Sequence, residues 1–295
     1  MKIGLGAVQF GVDYGISNRW GKTPEDEVAA ILRMAAESGI RIIDTACLYG
    51  SSEEVLGRCM PTDLSFDIVT KTPQFNKLSI AEADAEHLEE TFHASLAKLN
   101  KSFLYGLLLH RVDDLLTPGG ELLMERMVEL KRQGLVGKIG VSVYSARQID
   151  EVLSRFHIDM IQLPLNVLDQ RLLKSGHLGK LKRVGVEIHV RSVFLQGLLL
   201  MGLQEVPDYF DGIRDRLEAY HRSIRGKGLR PIQAALGFVA GVPEIDCVIC
   251  GVNNRQQLRE ICEAARVETQ PEEYVQFAIE NEAMVNPALW RLEEK

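Results

Sequence analysis

The chain has 295 residues, 46% of them apolar and 25% charged, enough material for a buried core in one large α/β domain or two smaller ones. A formal net charge of −7 and a pI of about 5.6 argue against a basic surface for nucleic acid or an anionic membrane, so neither is expected as a partner. No apolar run approaches the roughly 18 residues of a membrane span, and the residues before Gly6 are too few and too broken for a secretory signal, so the cytoplasm is the expected compartment.

Taken in order, Lys2 to Val8 reads as a short strand, followed by a glycine-punctuated polar loop from Gly11 to Gly21. Thr23-Pro24-Glu25-Asp26 predicts a helix start, with Thr23 as the capping hydroxyl, and Val28, Ile31, Leu32 and Ala35 recur at helical spacing up to Ser38-Gly39. Ile42 and Ile43 form the next strand, ending in Asp44, with Tyr49 in the loop beyond it. A short helix over Glu53–Arg58 leads to a strand over Phe66–Thr70 that delivers Lys71. Helix from Ala81 to Leu99 precedes a strand from Phe103 to Leu109 that ends at His110. The alternation continues with helix Gly120–Gln133, strand Lys138–Ser142, helix Ala146–Arg155, strand Met160–Gln162, helix Arg171–Arg183 and strand Val186–Val190. Helix Pro231–Val239, strand Cys247–Ile249 and helix Gln256–Ala265 complete it.

Strands separated by helices imply a parallel sheet. Eight units without a linker, and no G-x-G-x-x-G after any strand (position 9 is Gln9), favour one closed (β/α)8 barrel over a doubly wound sheet. Five cysteines lack framework spacing. Cys247-Val-Ile-Cys250 has C-x-x-C spacing inside an apolar run, without a second pair or a histidine cluster, and reads as buried strand thiols rather than a metal site.

In a barrel, polar residues at the carboxyl ends of strands converge on one face. Asp44, Lys71 and His110 follow consecutive strands, and Tyr49 lies in the loop between the first two. A phenol, with a pKa near 10, donates a proton well at neutral pH only if its anion is stabilised; a nearby ammonium held by a carboxylate suits that task. A histidine within reach can orient a substrate oxygen. The set suits protonation of an oxygen on which charge develops when hydride adds to a carbonyl.

The segments Asp44-Thr-Ala-x-x-Tyr49-Gly-Ser-Ser-Glu53, Lys71, Leu104-x-x-Leu-Leu-Leu-His110, Gly140-Val-Ser142, Gln162-x-x-x-Asn166, Ser192-x-x-x-Gln-Gly-Leu-Leu199 and Gly251…Gln257-x-x-Glu260 resemble, in order, those of aldo-keto reductases. The resemblance implies a single barrel domain over 1–295 with NADP(H) extended across its carboxyl face and a tail, about 267–295, near the mouth. It makes Tyr49 the general acid, tuned by Lys71 and Asp44, with His110 orienting the carbonyl. It assigns Ser142, Gln162 and Asn166 to the nicotinamide, and Ser192, Leu195, Gln196, Gly197 and Leu198 to the pyrophosphate path. Gly251, Asn253, Gln257 and Glu260 would hold the adenosine end, with Arg255 the nearby cation for a 2′-phosphate.

The chain departs from the family at Val143, where asparagine is common, at Ile261, where asparagine usually follows the glutamate, and at Arg191. The family usually has an aromatic there, stacked on the nicotinamide; a guanidinium can stack too, or reach a phosphate or an anionic substrate. Tyr14, Trp20, Tyr144, Tyr209, Phe210 and Trp290 are candidates for aromatic walls, and Asn18, Arg19 and Arg111 suit a polar, sugar-like or anionic substrate. The expected function is NADP(H)-dependent reduction of an aldehyde or ketone, without a metal. The alternatives are a cofactor-binding regulatory subunit on the same barrel and a Schiff-base lyase with Lys71 as nucleophile. Oligomeric state is open.

Overall fold

The structure, a computed structural model, describes residues 2–267 and 269–292. Eight parallel strands follow sequence order around a closed barrel, with β1 pairing to β8 to shut it. They are β1 Lys2–Gly6, β2 Ile42–Asp44, β3 Asp67–Lys71, β4 Leu104–Leu109, β5 Val136–Ser142, β6 Met160–Pro164, β7 Glu187–Arg191 and β8 Cys247–Gly251. The expected (β/α)8 fold is the fold observed.

Side chains alternate across each strand, so one set faces the helices and the other fills the barrel. Leu5, Ile43, Ile68, Leu107, Ile161, Ile188 and Val248 belong to the outer core, packed with helix residues such as Ile31, Leu56, Leu88 and Met127. Ile42, Val69, Leu108, Met160, Cys247 and Ile249 form the inner cluster. Gly140 is required by close approach: a Cβ there would lie 1.8 Å from the Met160 carbonyl oxygen. Toward the amino end of the barrel Glu187 binds Lys138, accepts from the Tyr105 hydroxyl at 2.8 Å and meets His189 Nε2 at 2.6 Å.

The inner cluster sets the height of the site. Two residues after Ile42, Val69, Leu108 and Met160, the next inward positions are Asp44, Lys71, His110 and Gln162. Strand periodicity therefore lifts these four polar groups onto the apolar floor together.

Several local expectations change. Pro24, not Thr23, is the residue preceding helix Glu25–Glu37, and Thr23 is buried with its hydroxyl toward the Asn253 carbonyl at 3.4 Å. The helix expected over Arg171–Arg183 breaks into Arg171–Lys174 and His177–Arg183 around Gly176, whose φ is +74°. Helical turns over Val8–Gly11 and Val112–Leu116, and a helix over Arg214–Gly226, were not legible. The last buries Leu217, Tyr220, His221 and Ile224 and is otherwise rich in arginine and acidic residues, so its apolar stripe is thin.

Cys247 faces the inner cluster and Cys250 the outer core, both buried in β8 as expected, and all five thiols are free. The described part of the tail packs through Tyr274, Phe277 and Val285, and the Ile279 N–H donates to the Leu168 carbonyl beyond β6. None of its residues lines the cavity at the barrel mouth; Glu268 and residues 293–295 lie outside the described residues. No helix among the described residues is long and apolar enough to cross a membrane.

Because the Gly140 contact is to rigid backbone, Gly140→Ala should lower unfolding free energy by about 3 kcal/mol or more, whereas Gly212→Ala, with nothing within 4 Å, should change it by less than about 1 kcal/mol. Urea denaturation of the two variants checks this, and equal effects would contradict the close approach.

Candidate active site

A cavity of about 460 Å3 opens at the carboxyl ends of the strands. It is lined on one side by Asp44, Tyr49, Lys71 and His110, and continues past Ser142, Gln162 and Arg191 to Asn253, Gln257 and Glu260. The loop that carries Tyr49 is tied down from below. Thr45 Oγ1 and Ser52 Oγ lie 3.0 Å apart, and Ser52 Oγ donates to the Ala7 carbonyl at 2.7 Å. Glu53 accepts from Thr70 Oγ1 at 2.6 Å, which ties the helix after Tyr49 to the residue before Lys71.

Lys71 donates all three of its N–H groups, to Asp44 Oδ1 at 2.8 Å, Asp44 Oδ2 at 2.7 Å and the Thr45 carbonyl at 2.9 Å. Gln162 Nε2 donates to Asp44 Oδ1 at 2.7 Å, so the carboxylate is held from a third strand. Burial lowers the Lys71 pKa, and the Asp44 carboxylate offsets that only in part. With its side chain 1% exposed and every donor engaged, Lys71 is a held charge rather than a Schiff-base nucleophile.

Tyr49 and His110 meet edge to face, with ring centroids 5.8 Å apart and planes at 85°, and Lys71 Nζ lies 5.0 Å from the Tyr49 ring centroid. Burial first, and then the Asp44 carboxylate, push the Tyr49 phenol above its ordinary pKa, with Arg191 acting in the opposite direction. Tyr49 rests fully protonated, as a donor must. His110 is held down at about 4 by burial and by Lys71, so it is neutral at pH 7. Its Nδ1 is buried without a partner, which favours placing the single ring proton on Nε2.

Among the residues read as cofactor-binding, Ser142, Gln162, Arg191, Ser192, Gln196, Gly197, Gly251, Asn253, Gln257 and Glu260 line the cavity. Four do not. Asn166 is fully buried: it donates to the Ser192 carbonyl at 3.0 Å and accepts from the Leu168 and Asp169 N–H groups, so it braces the loop rather than facing the cavity. Leu195 and Leu198 are core residues at 0% exposure. Arg255 is turned to Glu27, its Nε 3.2 Å from Oε1.

The loop after β7 holds Ser192, Leu195 and Gln196 at φ of 61°, 48° and 54°. Left-handed non-glycine residues cost of the order of 1–3 kcal/mol each and cluster at ligand sites. Gly197, at φ 95°, is required as well, since a Cβ there would fall 1.9 Å from Ser17 Oγ. At the far end Asn254 Oδ1 caps helix Arg255–Ala264 through Gln257 N–H at 2.9 Å, and Gln257 Oε1 accepts from Asn253 N–H at 2.7 Å. An elongated lining with these strained and interlocked ends fits an extended dinucleotide.

Gln9 and Ile232 line the cavity without having been anticipated. Gln9 carried a signal, being a polar residue just past the first strand; Ile232 carried none. Of the aromatic candidates, Tyr14 and Tyr144 line the cavity, Trp20 is 64% exposed, and Phe210 is buried against Tyr209 and Trp290.

A profile described as "Aldo/keto reductase family" matches residues 2–280 of the chain. Aldo-keto reductase YhdN of Bacillus subtilis (strain 168) is 30% identical over 181 residues, covering 59% of this chain and 53% of that protein, so the match spans about half of that relative's length. Uncharacterized oxidoreductase YqkF of the same organism is 23% identical over 293 residues, covering 93% and 90%. Among solved structures, the holo form of aldo-keto reductase AKR11C1 from Bacillus halodurans superposes with a TM-score of 0.73 at 22% identity, covering 94% of this chain and 90% of that one.

The depressed His110 pKa makes a stability prediction. Between pH 6.5 and about 4 the unfolded chain takes up a proton at His110 that the folded chain refuses, so this residue subtracts stability as pH falls through that window. His110→Gln should remove of the order of 3 kcal/mol from the loss between pH 8 and 4. Urea titrations of both proteins at a series of pH values provide the measurement, and parallel curves would rule the effect out.

Proposed function

The chain belongs to the aldo/keto reductase family, a family of oxidoreductases, and from that premise we propose that it reduces an aldehyde or ketone to an alcohol with NADP(H). The observation that carries this reading is the convergence of Tyr49, His110 and the buried Lys71–Asp44 pair on one cavity wall. A bound nicotinamide cofactor supplies the hydride. Ser142 and Gln162 would hold its nicotinamide end, the strained loop from Ser192 to Gly197 its pyrophosphate, and Asn253, Gln257 and Glu260 its adenosine.

The chain's own residues handle the proton and the carbonyl oxygen. His110, neutral, donates from Nε2 to the carbonyl oxygen and polarises it. Tyr49, protonated at rest, gives its phenolic proton to that oxygen as charge develops there. The tyrosinate left behind forms beside Lys71, whose charge Asp44 and Gln162 hold in place. A regulatory subunit without turnover would have no use for a donor kept protonated beside a held ammonium, which favours the enzyme.

NADP(H) over NAD(H) rests on Arg255 as the cation for the 2′-phosphate. Its pairing with Glu27 does not oppose that, because the Arg255 side chain is 55% exposed and an exposed pair is worth at most about 1 kcal/mol. A phosphate, which binds arginine through two oxygens, competes for it.

Tyr49→Phe should cut kcat by about 100-fold or more while NADPH affinity, read by fluorescence titration, shifts less than about threefold. Full turnover in that variant would refute the assignment of the acid. Glu27→Gln, by freeing Arg255, should tighten NADPH relative to NADH by roughly two- to fivefold. An unchanged Kd ratio would remove Arg255 from the 2′-phosphate site.

A further inference from the structure

Arg191, the last residue of β7, is the unbalanced charge of the cavity. The lining carries three other full charges: Lys71 and Asp44, on the tetrad wall, neutralise each other at 2.7 Å, and Glu260 lies apart from them. His110 is neutral, and Glu260 belongs to the adenosine end, where it accepts from Gln256 Nε2 at 2.9 Å. Among the described residues no carboxylate lies within ion-pair distance of Arg191. Its guanidinium makes two long hydrogen bonds, to the Val143 carbonyl at 3.3 Å and Ser192 Oγ at 3.4 Å, and lies 4.2 Å from the centroid of the Tyr144 ring.

That geometry holds the guanidinium without neutralising it. Tyr144 offers a face on which the plane rests, and is itself fixed: its N–H donates to Gln148 Oε1 at 2.9 Å, within the cap of helix Ala146–Arg155. The positive charge acts on Tyr14, Tyr49, Lys71 and His110 alike, so it stands within electrostatic reach of the reacting groups. A half-buried cation without a counter-charge is completed by an anionic ligand.

We propose that Arg191 is a specificity residue that binds a carboxylate on the substrate, so that the preferred substrates are carbonyl compounds carrying a carboxylate group. One guanidinium with no second cation beside it matches a monoanion better than a phosphate dianion, and its planar fork suits a carboxylate. The inference rests on reading the cavity as a reductase site, and deepens that reading by naming the substrate class.

The test compares wild type, Arg191→Gln and Arg191→Lys on two matched pairs with NADPH: 4-carboxybenzaldehyde against methyl 4-formylbenzoate, and phenylglyoxylate against methyl phenylglyoxylate. The acid-to-ester ratio of kcat/KM should fall roughly 10- to 100-fold in Arg191→Gln for at least one pair, and be partly retained in Arg191→Lys. Calorimetric binding of benzoate and of benzamide to the NADPH complex, where no turnover is needed, should show the same loss of preference for the anion. If no carbonyl is reduced but the benzoate preference depends on Arg191, the anion site stands and the reductase reading fails. Ratios within about threefold of wild type in both assays would overturn the proposal. A weakened NADPH Kd with unmoved ratios would also overturn it, assigning Arg191 to the cofactor.

Discussion

The ion pair between Lys71 and Asp44 is the constraint around which the site is built. Taking both charges out of water costs several kcal/mol per ion, and the pair recovers that only when its geometry is good and its remaining hydrogen bonds are met. Both conditions hold: the ammonium has three acceptors for its three protons, and the carboxylate takes a further donor from Gln162. The pair therefore links the ends of β2, β3 and β6. It also fixes the electrostatics around Tyr49, since a lysine neutralised by its partner leaves the phenol governed by burial and by Asp44.

The neutrality of that pair gives Arg191 its weight. In a wall whose other charges cancel, one guanidinium at the end of β7 dominates the field. The barrel decides its position, because β7 pairs with β6 such that Arg191 lies opposite Pro164, two residues beyond Gln162. Directly after Arg191, the loop from Ser192 to Gly197 accepts left-handed residues that the surrounding core holds in place through buried Leu195 and Leu198. Those two leucines act on the site by anchoring the loop, and Asn166 does so by holding the Ser192 carbonyl.

Much of this was legible from the chain alone. Short apolar runs separated by helical patterns located all eight strands, because strands buried on both faces must be nearly continuous in hydrophobic residues. Their places at the carboxyl ends of consecutive strands then put Asp44, Lys71 and His110 on one face. Helix Arg214–Gly226 was not legible, because tertiary packing around Tyr220 and Ile224 stabilises it rather than a broad apolar stripe. The break at Gly176 escaped for the related reason that both halves share the same helical pattern.

The sequence by itself determined the fold class, the strand ends and which side chains could carry acid–base chemistry, since these follow from local periodicity and residue type. The tertiary structure alone decided which side chains face the cavity and which brace it. Asn166, Leu195, Leu198 and Arg255 carry the right residue types in the right places along the chain, yet three are buried away from the cavity and one is paired to Glu27. The three-dimensional arrangement also decided the charge state around Tyr49 and the isolation of Arg191. Those depend on distances between strands far apart in sequence, and on how much water the barrel excludes.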